Sequence, residues 1–438
     1  MTKADGRGVP VTTRTDAELA SIDSFTARLL RLDRGAEAIL EDARSFPDSP
    51  MVQLSAAAFC LLGQTHASDA AAHDFLDATA PLLASATERE RRLHRLMTMW
   101  RGQDHLGALA EAEAITADWP RDLFTAKLAE FFYYVLGQQH EGPRFLAHMQ
   151  RLAPANPGDP DLLGMLAFAQ ELCGNVTEAA ASADKAIALE PRNPWAHHCI
   201  AHLHLRCGDT AEAVHALESF LPSWITSGRF AHCHNAWHLA LAHLETLNTG
   251  RALEVFERHV WGFAPDLVFE QVDAIALLWR LELAGIDVGT RWQGLADKAA
   301  AHLNERYMPF LDAHFVYALT RAGRSEMVGE WLARIAARSA AQDREARRSW
   351  APVGQPLVQA VAAFAQGDEG GAAELLDPIM GEITLVGGSD AQVQLFRQTY
   401  YHGLARCGRK ADARAYWQQL VGSRPPSELD RYVQGLAS

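Results

Sequence analysis

The chain has 438 residues, 48% of them hydrophobic and 21% charged, and its formal net charge is −14. This length suits two or three ordinary domains or one elongated repeat array, and the composition supports a packed core and excludes general disorder. Lys and Arg form no cluster, because the charged runs at 87–95 and 343–350 mix both signs, so nucleic acid is not an expected partner.

The first segment in chain order, residues 1–16, is polar and contains no apolar stretch typical of a signal peptide. We expect it to be a polar N-terminal tail. No apolar run in the rest of the chain approaches the ~20 residues of a membrane span. The six cysteines include no CxxC pair, which is typical of reduced thiols in a long chain. The sequence therefore predicts a cytoplasmic protein with no membrane partner.

Two neighbouring segments, residues 159–191 and 193–222, repeat the same pattern. Each begins with Asp or Asn followed by Pro, and Gly174 in the first lies 34 residues before Gly208 in the second. Asp or Asn caps a helix, Pro fits its first turn, and Gly ends it in a tight turn. A period of 34 residues is typical of tetratricopeptide repeats, in which each unit is a pair of helices.

The same plan recurs along the chain, so the sequence predicts an all-α, tetratricopeptide-like α-solenoid of about ten helical hairpins. Residues 17–438 would form this single domain, with a concave surface used for binding. The stretch at 244–256 supplies one turn without an aligned Gly, and "GEITLVGG" (381–388), the nearest to a strand, reads equally well as a helix end and loop. The glycines predicted to end first helices are Gly63, Gly102, Gly137, Gly174, Gly208, Gly285, Gly323, Gly367 and Gly408.

Six stretches carry a more specific pattern than the general helix pair: "FFYYVLG" (131–137), "PWAHHCIAHLH" (194–204), "CHNAWHLAL" (233–241), "VDAIALLWRLELAGIDVGTRWQGL" (272–295), "DAHF" (312–315) and "LVGGSDAQVQLF" (385–396). In sequence and in order over most of the chain, they resemble the tetratricopeptide-repeat protein 38 family. The resemblance implies an α-solenoid in a cytosolic setting and brings no catalytic assignment. One departure is Asp390, where the family motif carries Asn.

Histidines concentrate in the middle of the chain, where nine of the 19 fall between residues 197 and 243. His198 and His202 are four residues apart, so both point from one face of a helix. His234 and His238 each lie 36 residues further on, about one repeat. In the repeat register all four face the concave surface, so we expect a four-imidazole histidine patch on two neighbouring helices. Other histidines, such as His232 and His243, are expected to be structural.

The repeat register and the family-like stretches add further candidates. Asp312 and His314 lie within one residue of the concave positions on the first helix that ends at Gly323, and His402 occupies such a position in the last repeat. The predicted catalytic residues are His198, His202, His234, His238, Asp312 and His314. The predicted ligand-binding residues are Tyr134, Phe168, Glu171, Trp237, Asp273, Arg280, Gln392 and His402.

Three kinds of chemistry suit the histidine patch. Imidazole titrates near neutral pH and serves as a general acid or base. Histidine pairs on adjacent helices also suit a divalent transition metal, Zn or Fe, held by the four patch histidines. The HExxH pattern of metalloproteases is absent, and "GGSD" (387–390) is no phosphate loop. The third option is an anionic or aromatic ligand bound without a reaction.

These observations favour a small-molecule pocket centred on histidine, in an enzyme of hydrolase or lyase type that uses acid–base chemistry with or without a metal. The alternative is a non-catalytic tetratricopeptide scaffold that binds a protein or peptide partner. The substrate, the reaction and the oligomeric state stay open at this point.

Overall fold

The computed structural model describes residues 1–422 and 424–435. It is 75% helical, which confirms the predicted all-α helical-repeat fold class. The described residues contain one small sheet, an antiparallel hairpin of β1 (Thr2–Ala4) and β2 (Pro10–Thr12). The hairpin lies in the predicted tail: Val11 is fully buried, and the backbone N–H of Thr12 donates to the Glu90 carboxylate at 2.8 Å.

The chain divides into two compact units, and the first comprises residues 1–136, 141–199 and 223–231. Helix α11 (Pro194–Cys207) begins in this unit and ends in the second. Short 3₁₀ segments occur at 36–38, 80–82 and 153–155. The other helices of the first unit are α1 (Asp16–Arg31), α2 (Ile39–Ser45), α3 (Pro50–Leu61), α4 (His66–Thr79), α5 (Glu88–Arg101), α6 (His105–Asp118), α7 (Leu123–Leu136), α8 (Gly142–Leu152), α9 (Pro160–Leu172) and α10 (Val176–Leu189).

The second unit comprises residues 137–140, 200–222 and 232–438. It contains π-helical segments at 256–260 and 346–354 and 3₁₀ segments at 300–302, 377–379 and 383–386, the last within "GEITLVGG". Its helices are α12 (Thr210–Trp224), α13 (Arg229–Glu245), α14 (Thr249–Val255), α15 (Val268–Leu283), α16 (Arg291–Ala299), α17 (Pro309–Arg321), α18 (Ser325–Ser339), α19 (Gln355–Ala365), α20 (Glu369–Leu376), α21 (Asp390–Arg406), α22 (Lys410–Val421) and α23 (Glu428–Gly435). The first residues of α13 and the last two of α12 belong to the first unit.

The turns between paired helices lie where the sequence predicted them. All nine predicted glycines come shortly after the end of a first helix, and seven of them have positive φ. At Gly63 and Gly102 the following residue, Gln64 or Gln103, adopts the left-handed conformation instead. Leu247 does the same in the turn between α13 and α14, where no glycine aligns. Helices α1–α22 thus form eleven successive pairs, in agreement with the prediction of about ten.

First and second helices of a pair differ in how much of their surface is buried. Helix α10, a second helix, buries only three alanines, whereas α15, a first helix, buries 14 of its 16 residues. A helix buried all round brings its polar residues inside along with its apolar ones, and buried polar groups require partners. The fold therefore places the polar side chains of the first helices in the interior.

The turn after α7 provides a stability test with a matched control. Gly137 has φ +99°, and a Cβ there would collide with the carbonyl oxygen of Thr384; Gly323 has φ +75° and open space around it. Gly323→Ala is expected to cost about 1 kcal/mol of unfolding free energy, the cost of a left-handed alanine. Gly137→Ala combines the same left-handed strain with a backbone collision. Urea denaturation should therefore show a clearly larger loss of unfolding free energy for Gly137→Ala than for Gly323→Ala. Equal losses in the two variants would contradict this account.

Candidate functional site

Helices α11 and α13 carry the four histidines of the predicted patch. The Asn193 side chain caps α11 by accepting hydrogen bonds from the backbone N–H groups of Trp195 and Ala196, both at 3.0 Å. His198 and His202 then follow one turn apart on α11, and α13 places His234 and His238 in the same way. All four side chains are buried, His238 completely. The patch residues therefore lie in the interior of the fold, away from bulk water.

In the second unit, three of these histidines and two carboxylates form one group, which we call the His–Asp cluster: His202, His234, His238, Asp273 and Asp390. Nδ1 of His202 lies 3.2 Å from the Asp390 carboxylate, and Nδ1 of His234 lies 3.0 Å from the Asp273 carboxylate. The His238 ring centroid is 4.7 Å from that of His202 and 5.0 Å from that of His234. His238 thus lies between two histidines that are each held by a carboxylate.

The environment of His238 disfavours its charged form. Burial lowers the pKa of His238 well below the ordinary value, and the neighbouring His202 and His234 lower it further. Like-charged neighbours in a site of low polarity act in the same direction as burial. These surroundings therefore favour the neutral imidazole of His238 at neutral pH.

Asp390 begins α21, directly after the capping residue Ser389. Burial raises the pKa of Asp390, but the charges of His202 and Arg206 more than offset this and hold the pKa well below its usual range. The Arg206 guanidinium lies 2.6 Å from the carboxylate. The ionised Asp390 carboxylate thus supplies a negative charge that orients His202.

Arg280 and Trp237 lie beside the cluster. The Arg280 guanidinium is 5.3 Å from the centroid of the Trp237 ring, a cation–π contact, and it donates to the carbonyl oxygen of Ala391 at 2.7 Å. Burial lowers the pKa of Arg280 to about 9, against the opposing charges of Glu245 and Asp273. Arg280 therefore remains cationic at neutral pH inside the protein.

The predicted residues of the first unit form an aromatic environment. The His198 ring stacks on Trp195 with centroids 4.5 Å apart and meets the edge of Phe168 at 4.8 Å. Glu171 is fully buried, whereas Tyr134, which packs 6.2 Å from Phe131, is half-buried. In this unit the surroundings of His198 are thus mainly apolar.

The remaining predicted residues have other partners. Asp312 forms an ion pair with Arg306 at 3.1 Å and accepts a hydrogen bond from the Trp331 indole; burial raises its pKa to about 7, opposed by Arg306. Nδ1 of His314 bonds to the carbonyl oxygen of its own helix at Phe310, at 2.7 Å. Contacts of this type stabilise the fold. The catalytic roles of Asp312 and His314 stay predictions.

Gln392 caps α21. Its side-chain oxygen accepts a hydrogen bond from the backbone N–H of Ser389 at 2.9 Å, while the Ser389 hydroxyl accepts from the backbone of Gln392. This reciprocal arrangement is a capping box, which stabilises the start of a helix. Gln392 therefore positions Asp390, and its predicted contact with a ligand stays a prediction.

A cavity of about 400 Å³ lies within the second unit, beside the His–Asp cluster. Its lining includes His202 and Asp390 of the cluster together with His402 and Trp417. Sequence reasoning missed several charged residues of its wall. For Asp390 the sequence contained one signal, its difference from the motif of the family that the chain resembles. No signal indicated the other charged wall residues, which are Arg206, Glu245, Arg397, Arg424 and Asp430.

The donor atoms of the His–Asp cluster are of the kind that holds Zn or Fe. One ring nitrogen of His202 lies within 4.8 Å of one of His238. Metal-binding histidines commonly bond through their other nitrogen to a carboxylate, as His202 and His234 do here. The cluster thus fits a metal in its chemistry.

The buried histidines make stability dependent on pH. Burial lowers the pKa of His402 from 6.5 to about 3, so the unfolded chain binds its proton first as the solution is acidified. The neutral ring of His402 therefore adds to the free energy of unfolding in full above pH 6.5, and this stabilisation is lost as the pH falls toward 3. His402→Gln should therefore reduce the loss of unfolding free energy between about pH 6.5 and about pH 5 by up to about 2 kcal/mol.

Chemical denaturation at the two pH values measures this loss. The matched control is His73→Gln, because the His73 side chain is 47% exposed; this change should leave the pH dependence as in the wild type. An unchanged pH dependence in the His402 variant would contradict the assignment of a buried neutral ring.

None of the helices in residues 1–422 and 424–435 combines the length and the apolar character of a membrane span. One comparison relates the chain to known proteins. Residues 182–215 match the family model described as tetratricopeptide repeat, a segment that runs from the second half of α10 through α11 into α12. This match and the succession of helix pairs support a tetratricopeptide-like helical-repeat protein.

Proposed function

We propose that the protein binds a small molecule at the His–Asp cluster and acts on it by acid–base chemistry of hydrolase or lyase type. The observation that carries the proposal is the position of the neutral His238 between two carboxylate-paired histidines. Hydrolases and lyases both depend on proton transfer to and from a bound substrate, and imidazole is the side chain most often used for it.

The chemical roles follow from the contacts of each ring. A carboxylate bonded to Nδ1 of a histidine fixes the tautomer and stabilises the imidazolium that forms when the ring takes a proton. His202 and His234 each have such a partner, and they suit the role of acid. Burial and the two neighbouring rings lower the pKa of His238 and keep its ring neutral, so it suits the role of base.

A metal-assisted version of the same function uses the same residues. In the second unit, His202 and His238, which each offer a ring nitrogen within 4.8 Å of the other, would hold a Zn or Fe ion together with His234. Such an ion supplies a Lewis acid that activates a bound water. The carboxylates Asp273 and Asp390 would then orient the ligating rings, as they do in the contacts described above.

The second candidate function is a non-catalytic scaffold. The match of residues 182–215 to a tetratricopeptide repeat favours it, because arrays of such repeats commonly bind protein partners on their inner surface. With either function, we propose that the chain belongs to the tetratricopeptide-repeat protein 38 family and is cytoplasmic.

The acid–base proposal is tested on the full chain with a panel of chromogenic esters, amides and phosphoesters, and with activated β-elimination substrates. We expect turnover of one class, reduced at least about 100-fold by Asp273→Asn and by His238→Gln, because a positioned acid or base contributes about that much. Thermal unfolding verifies that each variant folds.

His243→Gln is the matched control. His243 lies on the same helix, α13, but its ring faces Glu218 at 3.3 Å, so this variant should keep the wild-type rate. The scaffold function would be favoured if the wild-type protein converts no substrate class of the panel. It would also be favoured if His238→Gln keeps the wild-type rate. Elemental analysis decides the metal-assisted version: roughly one Zn or Fe per chain, lost in His238→Gln and kept in His243→Gln, supports it, and active metal-free protein contradicts it.

A further inference from the structure

Four arginines line the cavity of the second unit, and they differ in how their charge is balanced. Arg206 is paired with Asp390 at 2.6 Å, and Arg424 is paired with Asp430 at 2.5 Å. In the described part of the chain, neither Arg280 nor Arg397 forms an ion pair with a carboxylate. The wall of the cavity thus carries two guanidinium groups whose charge has no direct counter-charge.

The contacts of these two arginines are with neutral groups. Arg280 donates to the backbone carbonyl oxygens of Ala276 and Ala391 and faces the Trp237 ring. Arg397 donates to the side-chain oxygen of Gln139 at 3.2 Å. Arg280 is only 6% exposed. Buried charges in proteins are normally paired, because removing an ion from water is costly unless an opposite charge compensates it.

Two buried carboxyl groups, those of Glu245 and Asp273, act on Arg280 without forming an ion pair with it. Asp273 is engaged by Nδ1 of His234 at 3.0 Å, and Glu245 is poorly suited as a counter-charge. Burial raises the pKa of Glu245, although a hydrogen bond from Ser427 opposes this effect. A carboxyl group with a raised pKa carries less negative charge at a given pH. One of its oxygens, Oε2, is buried and has no hydrogen-bond partner within residues 1–422 and 424–435.

His402 provides another unused polar atom in the same wall. Its Nδ1 is buried and has no hydrogen-bond partner among the described residues. Orphaned buried polar atoms are rare in folded proteins and call for an explanation. A ligand in the cavity with both a charged and a neutral polar group would satisfy Arg280, Arg397, His402 and Glu245 together.

We infer that the cavity binds a small organic anion whose carboxylate or phosphate group pairs with Arg280 and Arg397. The planar guanidinium presents parallel N–H groups that match both kinds of oxyanion. A volume of about 400 Å³ lies within the range of small-molecule sites. The inference names the ligand class of the proposed function and rests on its small-molecule part, but it does not depend on any reaction.

The test is isothermal titration calorimetry of the full chain with succinate and with inorganic phosphate, at constant ionic strength. We expect saturable binding of at least one of them, and the tighter one identifies the acid group. Arg397→Gln should weaken binding about tenfold or more, a loss corresponding to about one ion pair. Arg280→Lys keeps a positive charge but loses the planar fork, so it should weaken binding as well.

Arg334→Gln is the control, because Arg334 is exposed on α18 and pairs with Glu330 at 2.7 Å; it should bind as the wild type does. Wild-type protein that binds neither anion would overturn the inference, as would full affinity in Arg397→Gln or an equal loss in Arg334→Gln. His238→Gln separates the two proposals. If this variant binds the anion with wild-type affinity and also keeps the wild-type turnover rate, the acid–base proposal fails and the anion site stands.

Discussion

The pairing of buried polar side chains on the inner helices is the constraint on which the second unit depends. Helices such as α15 are buried on nearly every face, so their histidines, carboxylates and arginines cannot be hydrated by bulk water. Each must find a partner within the protein or remain an unfavourable buried group. The His–Asp cluster meets this requirement by joining residues from four helices, α11, α13, α15 and α21.

This pairing leaves a distinctive residue at its centre. Asp390 and Asp273 engage the outer histidines and leave His238 as a neutral ring beside Arg280. Asp390 engages His202 and Arg206 together, one through each carboxylate oxygen. Arg280 instead donates to backbone carbonyl oxygens, so it leaves the carboxylate of Asp273 to orient His234.

Local rules were sufficient to predict the helix pairs from the sequence. The cap at Asn193 and the glycine turns depend on residues close in the chain, and even the turn at Leu247, without a glycine, fell where the repeat period placed it. The spacing of His234 and His238 on one helix was predicted for the same reason. The N-terminal hairpin was missed, because its short strands become stable only through contacts such as that of Thr12 with Glu90, far along the chain.

The partners of the histidines could not be read from the sequence. Asp390 lies 188 residues after His202, and only the folded chain brings the two side chains together. Asp312 was grouped with the histidines by its position in the repeat, yet Arg306 and Trp331 hold its carboxylate. Repeat register predicts which helix carries a residue, but the partner of a buried charge is decided by tertiary packing.

The central claim is that His238 stays neutral between two carboxylate-paired histidines. Two-bond ¹H–¹⁵N correlation spectra of the histidine rings, recorded from about pH 8 to about pH 5 where free imidazole titrates, test it directly, with His238→Gln to assign the signal. The account predicts that the ring of His238 keeps one protonated and one unprotonated nitrogen over the whole range. A ring that becomes doubly protonated near the ordinary histidine pKa would contradict it.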